Sequence, residues 1–496
     1  MNEKVLNSHT LTDMSESVTT PGYDRGQIGT GIVHLGIGAF HRAHQAWYTE
    51  QVLEDGSDWG IVAASLRSPT VRDQLAPQNY LYSLVEKSND GEKVRVIGCV
   101  QDVYVAPESP RALLDAMTQE GVRIVSLTIT EKGYCHHPSS GELNLQHPDI
   151  QHDLANPQAP KSALGFIVYA LRERMQKGLP GFTLLSCDNL PSNGKVLQRV
   201  LFQFADQLEP EFAAWVRENT RCPCTMVDRI VPATTDSDRD ALEELLGVRD
   251  NAAVMAEPFS QWVVEDNFLR GRPAWEKAGA TFVDDVEVFE LIKLRLLNGC
   301  HSLLAYSGYL AGFETVADVM QEPAFAALAE RFLADEASAA VEAPADFDLA
   351  AYRGQLLERF ANRALKHRTW QIAMDGSQKI PQRWLGTLRH QLQNGGSIEL
   401  LCLALACWIR YVSAEDDAGK PIEVSDPLAQ ELKALCDANA GNPRELATAF
   451  LGFAPVFGED LQKSEALQQA LTAQLELLAK QGVLNTVRMQ MEESPA

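Results

Sequence analysis

The chain has 496 residues, 45% hydrophobic and 22% charged, and a formal net charge of -24. Single cores stop growing at about 250–300 residues, so two large domains are expected. The negative field disfavours nucleic acid and anionic membrane as partners, no apolar run reaches bilayer length, and the first residues (MNEKVLNSHT) lack a signal-peptide core, so a soluble cytoplasmic protein is expected.

Residues 1 to about 28 are polar and irregular and read as a lead-in arm. Gly31–Leu35 is a short apolar run suited to a buried strand, ending at Gly36-Ile37-Gly38. A helix follows, with Ala46, Tyr48, Val52 and Leu53 able to share a side. Trp59–Ala64, Val94–Val100, Val122–Ile129 and Phe182–Cys187 are further strands, separated by helices at Pro110–Glu120 and Ser162–Lys177. This alternation predicts βαβ units and a mainly parallel, doubly wound α/β domain over residues 1–284. Beyond 284 helical periodicity takes over. Val286–Leu310, Ala324–Leu333, Leu349–Ala361, Ile398–Val412, Pro427–Asn439 and Ala466–Gln481 are the candidates, with Asp426-Pro427 as an N-cap and Ala334–Ala345 as a loose loop. The second domain, 285–496, is therefore predominantly α-helical.

Nine cysteines are scattered without framework spacing and read as reduced thiols. Cys222 and Cys224 have no second pair nearby, so no metal is expected. Gly36-Ile37-Gly38 sits between a strand and a helix, where glycines let the backbone approach a pyrophosphate and the helix N-terminus stabilises its charge. A strict GxGxxG would need glycine where His41 stands. An ordinary turn would look the same, and the position after the first strand of a βαβ series favours the cofactor. No acid follows the second strand. Arg67 stands there, either meeting a 2′-phosphate or solvated at the surface.

The helix after residue 286 carries Lys293, Asn298 and His301. At the α-helical period Lys293 and His301 lie roughly 80° apart and Asn298 roughly 60° beyond, so all three can face one cleft, with Arg295 pointing elsewhere. Carbonyl reduction needs a proton donor at the developing alkoxide, which a lysine can be when burial lowers its pKa. A neutral asparagine can donate to the oxyanion, and a histidine can orient a hydroxyl. Ser186–Asn189, at a strand end, and Asp228-Arg229, between apolar residues, are supporting loops, although Asp and Asn also favour plain turns.

Together these segments resemble the mannitol dehydrogenase family of polyol-specific long-chain dehydrogenases. The likeness lies in GIVHLGIGAFHRAHQ (31–45), SLTITEKGY (126–134), SCDN (186–189), TMVDRIVP (225–232), KLRLLNGCHS (293–302) and DGSQK (375–379), in family order over nearly the whole chain. The resemblance implies a Rossmann-type first domain, a helical second domain and hydride transfer without zinc. It implies Lys293 as acid/base, with Asn298, His301 and Asn189 around the reacting oxygen. Asp228 and Lys379 fall on the substrate side. Gly36, Gly38, Ala39, Phe40, Arg67 and Glu131 are the cofactor-side residues, with NAD expected and NADP not excluded.

Within the family the likeness runs toward members that reduce fructuronate, a keto sugar acid, through EKGYC (131–135) and HRTWQIAMDGSQK (367–379). A carboxylate entering a protein of charge -24 needs a local cation, and Lys132, Lys379 and Arg368 are the candidates. The alternatives are a mannitol-type polyol substrate, or a nicotinamide sensor that would have no use for the Lys–Asn–His set. A sugar acid or polyol is the expected small-molecule partner of a monomer or small homo-oligomer.

Overall fold

The computed structural model describes residues 4–137, 140–345 and 347–492. It divides into two compact units, Met1–Glu287 and Val288–Ala496.

In the first unit β1 (Thr30–Leu35), β2 (Gly60–Ser65), β3 (Val100–Val105), β4 (Ile124–Leu127) and β5 (Thr183–Ser186) form a parallel sheet in the order β3-β2-β1-β4-β5. Every residue of β2, β4 and β5 is buried, as strands covered on both faces must be. One core contains Leu113, Phe166, Leu197 and Phe212 from helices, packed with Val125 and Leu184 of the sheet. The other joins Ile32, Ile61 and Ile124 to Tyr48, Trp262 and Trp275. The chain steps outward from β1 to β3, then returns to β1's other side for β4 and β5. Strand order therefore reverses between β1 and β4, and the crevice at their carboxyl ends is where such sheets bind ligands.

Two expectations fail in this unit. Val94–Val100 is not one strand of the parallel sheet. Gly91–Ile97 pairs antiparallel with Tyr82–Ser88 in a second sheet, and the chain then enters β3 at Val100. The buried Glu50 carboxylate causes the break by accepting the Gly98 and Cys99 amides, both at 2.8 Å. Nor is the lead-in an irregular arm. Val18–Thr19 adds a parallel strand beside Gly91–Ile97, Val5 bridges to Arg249, and Leu6 and Val18 are buried with Val94 and Leu246. The polar composition hid two apolar anchors.

The second unit is helical. Glu287–Ile292 continues through a π-helical segment, Lys293–Asn298, into Gly299–Leu310. Further π segments lie at Phe332–Ala337 and Pro381–Leu385. The expected loop Ala334–Ala345 is helical as far as Ala340, because the π segment leads into the short turn Ser338–Ala340. Asp426 does not cap the next helix, which begins at Ala429 with Leu428 as N-cap. Its carboxylate accepts the Ser377 amide at 2.8 Å, the Ser377 hydroxyl at 2.5 Å and the Leu428 amide at 2.9 Å. The last helix, Glu465–Glu492, is broken at Gly482, with φ +74°. All nine cysteines are free and buried. Among the described residues no group of three or more His, Cys, Asp or Glu is arranged to hold a metal ion, and no helix is long and apolar enough to cross a membrane.

Candidate active site

In the first unit β1 ends at Leu35, and Gly36 takes φ +99°. A Cβ there would stand 2.1 Å from the Thr128 carbonyl oxygen, so the turn needs glycine. Gly38 is different. It is exposed, and a Cβ would meet nothing nearer than the Gly36 oxygen at 3.9 Å. The fold leaves that space open where the turn enters Ala39–Ala43. Ala39 and Phe40 follow, half-buried, with Phe40 stacked on His44 at 4.9 Å. Arg42, whose guanidinium bonds the Ala252 carbonyl, and Tyr82, whose hydroxyl donates to the Arg42 carbonyl at 2.8 Å, pin this short helix.

Beneath the turn lies a feature that the sequence did not announce. His34, inside β1, bonds the Ser126 hydroxyl at 2.8 Å and the Thr128 hydroxyl at 3.0 Å, and its other contact is the Gly36 carbonyl at 3.1 Å. His41 stacks on it with ring centroids 3.4 Å apart, and both are fully buried. Burial holds the His34 imidazole down to about 3, and His41 well below the usual histidine range. Both rings are neutral.

Asp188 ties the neighbouring loops together. Its carboxylate accepts the Ile129 amide at 3.1 Å, the Thr130 amide at 2.8 Å and the Tyr134 hydroxyl at 2.7 Å. Burial pushes its pKa up, and these bonds oppose the shift. Thr130 is held at φ +63°, a conformation that costs a non-glycine residue free energy and persists where surroundings impose it. The loop so fixed presents Glu131 and Lys132, both exposed. Asn193 clamps the same corner, accepting the Thr225 amide at 2.9 Å and donating to the Asp188 carbonyl at 3.0 Å. Asn189 is exposed on this loop, and Asp228 is buried at the end of the strand Thr225–Asp228. Arg229 is a tie, its guanidinium spanning the Ala43 carbonyl, the Glu257 carbonyl and Glu86. Arg67 is exposed just beyond β2.

In the second unit Lys293 is buried and opens the π segment that ends at Asn298. A π turn bonds i to i+5, so these residues, five apart, stand closer in azimuth than the α-helical period predicts. His301 follows one turn on, buried, with its ring edge-on to His367 at 4.8 Å and beside Phe360 at 5.3 Å. Burial holds His301 well below the usual histidine range, and the His367, Arg383, Arg359 and Lys379 charges add to that. His367 is pushed down to about 4, mainly by burial. Lys379 donates to the Met374 carbonyl at 2.6 Å and the Ile372 carbonyl at 3.3 Å, and burial lowers it to about 8. Arg383 donates to the Ser302 hydroxyl at 2.7 Å and the Asn298 carbonyl at 3.4 Å.

The structure thus gathers Lys293, Asn298, His301 and Lys379 in the second unit. It gathers the Gly36–Phe40 turn, Glu131, Lys132, Asn189 and Asp228 at strand ends of the first. Arg368 stands apart, its side chain 62% exposed and 3.8 Å from Glu314. Arg295 is a structural tie to the Ala340 carbonyl. Sequence reasoning missed His34, His41, Asp188, Asn193, His367 and Arg383. For Arg383 the signal was a cation one helical turn after Lys379.

The turn fits a dinucleotide on its own evidence: an open glycine at the carboxyl end of β1, where strand order reverses. Gly36, Gly38, Ala39 and Phe40 are the residues that would hold it.

Comparison with known proteins agrees with this architecture. Residues 30–277 match the family model "Mannitol dehydrogenase Rossmann domain", and residues 285–479 match "Mannitol dehydrogenase C-terminal domain". The chain is 45% identical to the D-mannonate oxidoreductase of Escherichia coli K12, over 96% of this chain and 99% of that one. It is 46% identical to "Uncharacterized oxidoreductase YeiQ" of the same organism, over 98% and 100%. Among solved structures it is similar to the mannitol 2-dehydrogenase of Pseudomonas fluorescens in complex with NAD and D-mannitol, with TM-score 0.86 and 37% identity, over 99% of this chain and 100% of that one.

Proposed function

The chain belongs to the mannitol dehydrogenase family, and we propose that it reduces D-fructuronate to D-mannonate reversibly with NADH. It is an oxidoreductase of sugar alcohols or acids, as its relatives are named. The observation that supports this reading is the widened helical segment that carries buried Lys293 at its start and half-buried Asn298 at its end, with neutral His301 one turn on.

A nicotinamide held at the Gly36–Phe40 turn would supply the hydride that reduces the keto carbon. Lys293 gives a proton to the carbonyl oxygen as it becomes hydroxyl, and takes it back in the reverse direction. Asn298 and Asn189 donate hydrogen bonds to that oxygen as its charge develops. His301 orients a substrate hydroxyl, and Asp228 and Lys379 position the rest of the substrate. Gly38 would let the main chain approach the cofactor pyrophosphate, with Ala39, Phe40 and Glu131 as the neighbouring residues that would hold it. Arg67 is the residue that would favour a 2′-phosphate, so NADPH is the alternative donor.

Lys293→Ala is expected to lower turnover by about a thousandfold or more while NADH binding, read by nucleotide fluorescence, stays within about twofold. Unaltered turnover overturns the mechanism. The second reading, a mannitol-type polyol dehydrogenase, is favoured by the similarity to the D-mannitol complex. Rates with fructuronate and fructose, each with NADH and NADPH, separate the two.

A further inference from the structure

We propose that Arg383 and Lys379 form a carboxylate-binding subsite in the second unit, walled by His301 and His367, and that Arg383 is the residue that makes the protein select a sugar acid. This deepens the dehydrogenase reading and rests on it for the identity of the acid.

The argument starts from charge. Buried cations are normally paired, because taking an ammonium or guanidinium out of water costs several kcal/mol. Lys379 and Arg383 are both half-buried, and the Arg383 charge is near enough to depress the Lys379 pKa. Yet among the described residues neither has a carboxylate within ion-pair distance, in a protein with 67 acidic side chains. Asp375 and Asp426 act on Lys379 only at longer range, and Asp426 is occupied by Ser377 and Leu428.

The donors are also incompletely used. Lys379 has three and spends two on carbonyl oxygens. Both Arg383 bonds leave from Nη1, so Nε and Nη2 remain for a second acceptor. The two histidines beside them are neutral and add no competing charge, and the buried Nδ1 of His367 has no partner. A guanidinium edge plus one ammonium proton is the donor set that a carboxylate takes. Arg383 also touches Ser302 and the Asn298 carbonyl, which puts this subsite beside the proposed reacting oxygen, as the acid group of a six-carbon substrate requires. Lys132 and Arg368 are exposed, and a solvated ion pair discriminates little.

The test is calorimetric binding of D-mannonate and D-mannitol, an acid and a neutral polyol of equal length, to the NAD-loaded protein. Wild type is expected to prefer mannonate at least tenfold. Arg383→Gln is expected to remove most of that preference and Arg383→Lys to restore part of it. Equal loss of both ligands, or an unchanged ratio, overturns the subsite, as does a larger ratio change in Arg368→Gln. Should Arg383→Gln not fold, the wild type still decides. The preference must fall as pH rises through about 8, where Lys379 loses its proton, and a flat ratio from pH 7 to 9 overturns the proposal. Mannonate preference without fructuronate turnover leaves the subsite standing and removes the catalytic reading. Turnover with a ratio indifferent to Arg383 does the reverse.

Discussion

His34 and His41 stack face to face at 3.4 Å under the glycine turn, whereas His301 and His367 meet edge to face at 4.8 Å among the cations of the second unit. Both pairs are neutral because burial forbids the charge. The first is sealed, and His34 satisfies both ring nitrogens within the protein. The second sits beside half-buried cations with donors to spare. The same residue type is fully buried frame in one place and, less deeply buried, part of the proposed site in the other. The difference lies in what surrounds the rings: hydroxyls and carbonyls around His34 in one place, cations with unused donors in the other.

The sharpest way to break this comparison is to treat the pairs alike. His301→Gln is expected to cut turnover about a hundredfold with a melting temperature near that of wild type. His34→Gln is expected to lose about 2–4 kcal/mol of stability, read by denaturant unfolding, with the surviving folded enzyme close to full turnover. If His301→Gln loses only stability, the second pair is frame as well. The two glycines offer a smaller effect. Gly38→Ala is expected to weaken NADH about tenfold at unchanged stability, because only a ligand approaches that space. Gly36→Ala is expected to cost stability first, because the Thr128 carbonyl is already there.

The smallest effect per step is in pH. His34 has a folded pKa of about 3 against an ordinary 6.5, so the unfolded chain binds more protons between those values. Its contribution to stability is complete above about pH 6.5 and is lost as pH falls toward 3, at about 1.4 kcal/mol per unit. Stability of the first unit that stays flat from pH 7 to 4 would mean the imidazoles are not sealed.

The parallel sheet, the glycine turn and the Lys–Asn–His helix were legible because each follows a short-range rule: apolar runs, a turn after a strand, a helical period. The antiparallel hairpin was not, since Tyr82–Ser88 ends in Glu86-Lys87-Ser88 and the mostly apolar run Val94–Val100 passes through the strand end at Ile97 without a change of character. Asn89-Asp90-Gly91 was the available turn signal. Histidine in a buried strand carries no mark of its own, because what keeps His34 there is Ser126 and Thr128, 92 and 94 residues away. The roles of Asp188 and Arg383 are likewise set by distant partners. The π segment has no composition signature, so the angle between Lys293 and Asn298 was read on the wrong period.

That segment makes the relative directions of Lys293, Asn298 and His301 a matter of winding along one helix. A π turn is a helix carrying one residue more than its neighbours need. Losing a single codon within Leu294–Leu297 would let the helix close into α geometry with His301 near its present angle to Lys293, whereas winding the undeleted residues as plain α-helix would turn His301 by roughly 90°. The number of residues between Lys293 and His301 and the winding of the helix between them therefore have to be read together, since the same side chains on a plain α-helix would face a different way.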